Sequence, residues 1–166
     1  MDDPMSDTAG TRPRAGVLLT STAGVAAIER IRGGKRYHVL PGGGVERGET
    51  LAEAASREAY EELGVRVSIV GLVAVVQFDH DFQHYFAADV IGGDFGTGTG
   101  QEMSGPIDPR RGTYRATWLA RPVLIEEDLR PRPLADALQK APDLDALIVD
   151  WLRSPQHLIE PSPTAG

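Results

Sequence analysis

Residues 43–65 constrain what this chain can fold into more than any other stretch. They read GGVERGETLAEAASREAYEELGV. Thr50 followed by Glu53 is typical of a capping box, and Gly64 suits a helix end in the left-handed conformation. The residues between these signals are rich in Ala, Leu and Glu, which favour helix. We therefore expect a helix from residue 51 to residue 63, about three and a half turns long.

The predicted helix carries three acidic residues on one side. At about 100° per residue, Glu58 and Glu62 lie one above the other and Glu61 flanks them, beside a stripe that can pack on a sheet. Like charges at this spacing destabilise an isolated helix by roughly 0.2–0.5 kcal/mol per pair, so the arrangement needs a counter-ion. A hard divalent cation such as Mg²⁺, with Mn²⁺ as a substitute, suits carboxylate oxygens. For such a pair taken alone, a solvated acidic face is the alternative.

The same stretch resembles the Nudix box of the Nudix (MutT-like) hydrolase family. The pattern of that family is G-x5-E-x7-R-E-U-x-E-E-x-G-U, with U apolar. The chain meets every fixed position, with Gly43, Glu49, Arg57, Glu58, Ala59, Glu61, Glu62, Gly64 and Val65. At ordinary residue usage, a chance match in a chain this long is on the order of one in ten million. The resemblance implies an α+β domain, built as an α/β/α sandwich around a central mixed β-sheet.

The resemblance also implies a role for each polar residue of the box. Glu58 and Glu62 would be metal ligands, and Glu61 would be a third ligand or the base that activates water. Arg57 would orient this set and take part in catalysis. Glu49 would pair with Arg57 and brace the loop against the helix.

Glycines surround the start of the box. The run Pro41-Gly-Gly-Gly is expected to end a strand in a turn, where glycine allows positive φ and a close approach of the main chain to a phosphate or metal. Gly43 and Gly64 belong to the structural motif. In the family the carbonyl of the glycine before the box, here Gly42, often joins the metal shell, and a plain turn explains this glycine equally well.

Other candidate site residues lie outside the box. We expect residues 92–112 to form a long glycine-rich loop, and loops of this length are usually functional or disordered. Glu102 in this loop is the candidate for an extra carboxylate, as an alternative catalytic base. Arg14 and Arg36 lie near strand ends and are candidates for contacts with substrate phosphate or base, with solvated cations as the alternative. The polar tip at residues 79–84 carries two histidines that either serve the site or are simply solvated.

The remaining pattern predicts a single domain. Alternating or continuous apolar runs indicate strands at 15–20, 25–31, 37–40, 67–78, 85–91 and 113–119. Helical spacing indicates helices at 134–140 and 144–152, with Asp143 as a cap of the second. We expect a flexible tail at residues 1–13, one domain at 14–153 and a second flexible tail at 154–166.

Composition narrows the function classes. The 166 residues are 41% hydrophobic and 25% charged, which fits one globular domain with a core. The net charge of −7 argues against binding to a nucleic-acid polymer but allows a small anionic substrate, because a metal and a few cations can reverse the local field. The absence of cysteine excludes disulfides and thiol catalysis. With no apolar run of about 20 residues and no signal-peptide layout, we expect a cytoplasmic protein without a membrane partner; a homodimer stays open.

The reaction implied by the resemblance is hydrolysis of a nucleoside diphosphate linked to another group X. A nucleoside triphosphate or an oxidised nucleotide is the preferred substrate. An ADP-sugar or a dinucleoside polyphosphate is the alternative, although the spaced proline and tyrosine of those subfamilies are not clearly present. A catalytically idle nucleotide-binding module also remains, as does isomerisation of a prenyl diphosphate, for which the lack of cysteine is unfavourable.

Overall fold

A computed structural model describes residues 12–98 and 112–161. Its elements, in chain order, are β1 Arg14–Leu18, β2 Thr20–Ser21, β3 Gly24–Arg32, β4 Lys35–Val39, β5 Gly42–Gly44, α1 Leu51–Leu63, β6 Val65–Phe78, β7 Asp81–Gly93, β8 Thr113–Leu119, a 3₁₀ turn Arg121–Val123, β9 Leu129–Arg130, α2 Arg132–Lys140, α3 Leu144–Arg153 and β10 Gln156–Glu160. Within these residues, no helix has both the length and the apolar character needed to cross a membrane.

The strands form two mixed sheets. The first has the order β10-β6-β7-β1-β5, in which the β10–β6 and β1–β7 pairs are parallel and the others antiparallel. The second has the order β2-β3-β4-β9, with β8 paired to the other edge of β3. The α+β prediction is confirmed, but the expected central sheet is divided in two.

The helices cover opposite faces of these sheets, which makes the predicted sandwich. Successive side chains of a strand point to opposite faces. On β1, Ala15 and Val17 therefore pack in the core under α1, while Leu18 packs in the core that contains α2 and α3. The box helix thus forms one layer by itself, among the described residues.

Helix α1 begins and ends where its sequence signals predict. The Thr50 hydroxyl oxygen accepts a hydrogen bond from the Glu53 N–H at 3.1 Å. Gly64 ends the helix at φ 81°, and its N–H donates to the Tyr60 carbonyl. One face of the helix is buried against β1, β5 and β6. The acidic side chains therefore stand on a rigid, packed helix, and Glu58 is itself buried.

The glycines before the box form a strand instead of the expected turn. Gly42, Gly43 and Gly44 pair antiparallel with β1, and none of them has a positive φ. Pairing with β1 outweighs the weak intrinsic preference of glycine for strand, because tertiary context decides such short segments. At Gly43 the main chain comes close to the Glu58 carboxylate, which an added Cβ would overlap; its approach to a phosphate or metal stays a prediction.

Two predicted boundaries differ from the structure. The tip at residues 79–84 is reduced to a two-residue turn, because β7 already begins at Asp81. Residues 156–160, placed by the sequence in a flexible tail, form β10 and pair with β6. The flanking prolines suggest a loose tail, and only the exposed edge of β6 supplies a partner for this strand. At the other end, Arg12 and Pro13 already hydrogen-bond to Val45.

Candidate active site

The guanidinium group of Arg57 is the centre of the polar cluster on α1. Its Nε and Nη2 atoms donate to the two carboxylate oxygens of Glu49 at 2.7 and 3.0 Å, and Nη2 also donates to the Gly44 carbonyl at 3.0 Å. Its Nη1 atom donates to Glu58 at 2.9 Å and to Glu61 at 3.1 Å. The predicted pairing of Arg57 with Glu49 is therefore confirmed. The planar guanidinium group of Arg57, which we call the fork, thus joins the loop that carries Glu49 to strand β5 and to two box glutamates.

These contacts shift the acid–base equilibria of the pair. Hydrogen bonding to Arg57 lowers the pKa of Glu49 below its usual value. Glu49, and after it Glu58, raises the pKa of Arg57. Both groups therefore stay charged over the whole neutral range, and the fork keeps its geometry.

Glu58 and Glu62 lie against the glycine strand. The Glu58 side chain is 11% exposed and touches Gly43, where only a residue without a side chain leaves room for the carboxylate. The Glu62 carboxylate accepts a hydrogen bond from the Gly42 N–H at 3.1 Å. Strand β5 and helix α1 thus meet through backbone groups of β5 and carboxylates of α1.

The three box glutamates share one side of α1, as predicted, but they do not form a closed metal cage. Within residues 12–98 and 112–161, no three His, Asp or Glu side chains are grouped so as to enclose a cation. Instead, Arg57 donates hydrogen bonds to Glu58 and Glu61, and the Gly42 N–H donates one to Glu62.

The donor set nevertheless fits a hard divalent cation. Glu58 and Glu62 offer carboxylate oxygens beside the backbone of Gly42 and Gly43. The chain has no cysteine, so no thiolate competes with these oxygen ligands. Mg²⁺ prefers one or two carboxylates together with waters and substrate phosphates, which this open arrangement allows.

The site agrees with a comparison of the chain with known families. The family described as the NUDIX domain matches residues 10–109, which is more than half of the chain. The chain belongs to the Nudix family. The match contains the whole box and the strands β1 to β7 that surround it.

Relatives and solved structures support the Nudix assignment at different levels. An RNA pyrophosphohydrolase of Teredinibacter turnerae is 36% identical over 73 residues, which is 44% of this chain and 43% of that protein. The match thus spans less than half the length of this curated relative. A NUDIX hydrolase structure from Nitrosomonas europaea superimposes with a TM-score of 0.56 at 19% identity, over 90% of this chain and 93% of that one. A MutT structure from Methanosarcina mazei Go1 gives 0.56 at 17% identity, over 81% and 95% of the two chains. These two structures show the Nudix fold.

The predicted residues outside the Nudix box are placed differently from one another. Arg14 begins β1 beside the glycine strand, across from Gly44. Arg36 alternates along β4 with Val39, which packs under α1, so Arg36 points to the opposite face and pairs with Glu127 at 2.6 Å. The structure therefore does not bring Arg36 to the glutamates. Glu102 lies outside the described residues.

One cation near the Nudix box is missed by the sequence reasoning. The Arg12 Nε donates to the Val45 carbonyl at 2.8 Å, and its side chain lies against Gly44. Its charge also contributes to lowering the pKa of Glu49, after the larger effect of Arg57. Arg12 lies in the flexible tail that the sequence predicts at residues 1–13, and it was therefore not among the expected site residues. Arg12 and Arg14 are two positions apart, and this spacing puts both side chains on one side of an extended chain.

Proposed function

We propose that this protein is a Mg²⁺-dependent pyrophosphohydrolase that cleaves a nucleoside diphosphate linked to another group X. The observation that carries the proposal is the fork of Arg57, which holds Glu49, Glu58 and Glu61 beside the glycine strand in a chain of the Nudix family. The intact set of box glutamates favours an enzyme over an idle binding module. Hydrolysis of a diphosphate linkage depends more on neutralising the charge of the phosphoryl oxygens than on a covalent intermediate with the protein.

The side chains divide this work according to their surroundings. Glu58 and Glu62 would hold the cation, because their carboxylates face backbone groups of β5 and are fixed there. The cation, when bound, neutralises charge on the phosphoryl oxygens. Glu61 is 40% exposed, so its carboxylate can reach a water molecule and accept its proton. Arg57 would hold the Glu58 and Glu61 carboxylates in place through its hydrogen bonds. Glu102 remains the alternative base.

A nucleoside triphosphate or an oxidised nucleotide is the substrate we favour. A small free nucleotide suits a chain with a net charge of −7 better than a nucleic-acid polymer does, because polymers usually bind to strongly basic proteins. An ADP-sugar or dinucleoside polyphosphate would present the same diphosphate to the same glutamates. These substrates therefore differ only in the group X that is linked to the nucleoside diphosphate.

One observation favours a second candidate, hydrolysis of a diphosphate linkage in the 5′ triphosphate of an RNA. Relatives that match this chain at 36–40% identity carry the description RNA pyrophosphohydrolase. An RNA 5′ end presents the same linkage as a nucleoside triphosphate. The two candidates differ in whether the nucleotides after the first one of the RNA contribute to binding.

The test is a substrate panel with box variants. The wild-type protein is assayed with Mg²⁺ on nucleoside triphosphates, oxidised nucleotides, ADP-ribose, dinucleoside polyphosphates and a short 5′-triphosphorylated RNA. We expect Glu62→Gln and Glu58→Gln each to lower kcat by at least about 10²-fold, because each removes a charge that the cation needs. Glu53→Gln, on the exposed side of the same helix, is the matched control and is expected to retain full activity.

The outcomes separate the candidates. Turnover of free nucleotides that exceeds turnover of the RNA supports the preferred substrate, and the reverse order supports the second candidate. Absence of turnover on the whole panel, or a Glu62→Gln variant as active as the Glu53→Gln control, would reject the proposed hydrolase.

A further inference from the structure

A small cavity lies beside the glycine strand, on the face of the first sheet that is turned away from α1. Its lining consists of Arg14, Ala15 and Gly16 of β1, Leu40 between β4 and β5, Gly42 and Gly43 of β5, and Gln83 and Tyr85 of β7. Its volume is about 20 Å³, enough for one water-sized group, whereas a sugar or a nucleobase would not fit. The cavity therefore suits a single oxygen atom of a ligand.

The position of the cavity connects it to the box glutamates. Gly42 lines the cavity and also donates its N–H to Glu62, and Gly43 lines the cavity and touches Glu58. Strand β5 is therefore a shared wall, with the glutamates on one side and the cavity on the other. A ligand held at the glutamates could place a neighbouring group over the edge of β5.

The polar side chains of the cavity offer hydrogen-bond donors. The Tyr85 hydroxyl donates to Gln83 Oε1 at 2.5 Å, so the oxygen end of the amide is already occupied. The Gln83 Nε2 and the Arg14 guanidinium donate to no described residue; Arg14 is exposed and Gln83 half-buried, so both donors are accessible to a ligand from solvent. An amide N–H and a guanidinium without acceptors, next to each other, favour an anionic oxygen.

Tyr85 is suited to fixing this arrangement. The side chain is 4% exposed, and burial raises the pKa of its hydroxyl, so that it stays a donor at neutral pH. Gln83 and Tyr85 are two residues apart on β7 and therefore point to the same face. Tyr85 is thus a positioning residue for the Gln83 amide.

We propose that Arg14 and Gln83, with Gln83 oriented by Tyr85, form a subsite for a phosphoryl oxygen of the substrate on the far side of β5 from the box glutamates. This inference rests on the proposed function for the identity of the ligand. It also assigns Gln83 and Tyr85 a part in binding that the box pattern does not contain.

The test is equilibrium binding of inorganic pyrophosphate, in buffers with and without Mg²⁺, combined with steady-state kinetics. Arg14→Gln and Gln83→Leu are each expected to weaken pyrophosphate binding about tenfold, which is the size of one hydrogen bond to a charged group. In turnover they should raise KM by a similar factor and leave kcat within about twofold. Thermal unfolding checks that each variant is folded.

Two control variants match Arg14→Gln and Gln83→Leu by removing an arginine charge and a glutamine amide elsewhere on the same sheet. Arg66→Gln removes an exposed arginine on β6, at the opposite end of the β6–β7 hairpin. Gln77→Leu removes an amide from the opposite face of the same sheet, where its nitrogen donates to the Asp79 carbonyl. Both are expected to bind pyrophosphate as the wild type does.

Tyr85→Phe tests the positioning role. It should weaken pyrophosphate binding when Gln83 is present and have no further effect in the Gln83→Leu background, because its effect passes through that amide. Equal losses in both backgrounds would show a merely structural role and contradict the assignment of Tyr85.

The results distinguish failure of the subsite from failure of the proposed function. Normal pyrophosphate binding by both Arg14→Gln and Gln83→Leu, or no saturable binding by the wild type, overturns the subsite even if the protein hydrolyses nucleotides. Weaker binding by these variants supports the subsite even if no substrate is turned over. If the variants instead lose binding of an unphosphorylated nucleoside and keep that of pyrophosphate, the phosphate assignment is wrong.

Discussion

At the scale of single residues, the Glu49–Arg57 pair contributes more than a surface ion pair would. The Glu49 and Arg57 side chains are 13% and 22% exposed, and two parallel hydrogen bonds join them. Exposed ion pairs contribute about 0–1 kcal/mol, whereas loss of hydrogen bonds to a half-buried charge costs about 1–3 kcal/mol. The pair therefore stabilises the loop before α1 as well as orienting Arg57.

This pair makes the stability of the fold dependent on acid pH. Arg57 lowers the pKa of Glu49 from its ordinary 4.5, so the folded state favours the ionised form. The contribution is then complete above pH 4.5 and is lost as the pH falls through the lower folded pKa. We predict that Glu49→Gln lowers the free energy of unfolding by about 1–3 kcal/mol at pH 7, and that its difference from wild type shrinks below pH 4.5.

Urea unfolding of both proteins between pH 3 and pH 7 measures this difference. Glu53→Gln, at an exposed position of the same helix, serves as the control and should leave the free energy of unfolding nearly unchanged. A Glu49→Gln effect that stays constant down to pH 3 would contradict the role given to Arg57.

At the scale of elements, the contact between β5 and α1 decides where the glutamates point. An isolated α1 would present its three glutamates to water, each free to choose a rotamer. Packing against a strand of glycines brings Glu58 to the Gly43 backbone and Glu62 to the Gly42 N–H. The absence of side chains on β5 is what allows this approach.

We predict that Gly43→Ala impairs catalysis more than stability. A Cβ at Gly43 would overlap the Glu58 carboxylate, which is the far end of a flexible side chain and can move aside without unfolding the protein. We expect kcat to fall by about tenfold or more with a loss of about 1 kcal/mol or less in the free energy of unfolding. Gly44→Ala is the matched control, because its Cβ would meet only the Arg12 side chain, at 3.3 Å.

Kinetics and urea unfolding of the two variants measure this separation. A Gly43→Ala enzyme with unchanged kcat would show that the approach of Glu58 to β5 is not needed for catalysis. A Gly43→Ala variant that is strongly destabilised, but whose folded fraction has normal kcat, would lead to the same conclusion.

At the scale of the whole molecule, β10 closes the first sheet after the chain has passed through α2 and α3. It pairs in parallel with β6, and Leu158 packs against the core shared with those helices. The Glu160 carboxylate accepts a hydrogen bond from the Arg132 N–H at the start of α2. The last described strand therefore connects the sheet to the helical layer.

We predict opposite results for two neighbouring residues of β10. Leu158→Ala should lower the free energy of unfolding by about 1–3 kcal/mol, because this side chain is partly buried in the core. Ile159→Ala, at a side chain that is 66% exposed, should change it by less than about 0.5 kcal/mol. Urea unfolding measures both, and two silent substitutions would instead agree with the loose tail expected from the sequence.

The sequence by itself determined the parts of the protein whose signals are local. The helix from Leu51 to Leu63, with its caps at Thr50 and Gly64, follows from residue types a few positions apart. The pairing of Glu49 with Arg57 and the family follow from the fixed spacing of the box. Such features depend on covalent connection and helical period, which the sequence states directly.

The tertiary structure alone decided what depends on contacts between distant segments. The glycines form a strand because they pair with β1, and residues 156–160 form a strand because they pair with the edge of β6. Arg36 points away from the glutamates and pairs with Glu127. The tertiary structure also placed the Gly42 N–H against Glu62 and brought Gln83 beside Arg14. The physical reason is that a short segment has a weak preference of its own, and the neighbour it meets across the fold decides its conformation and orientation.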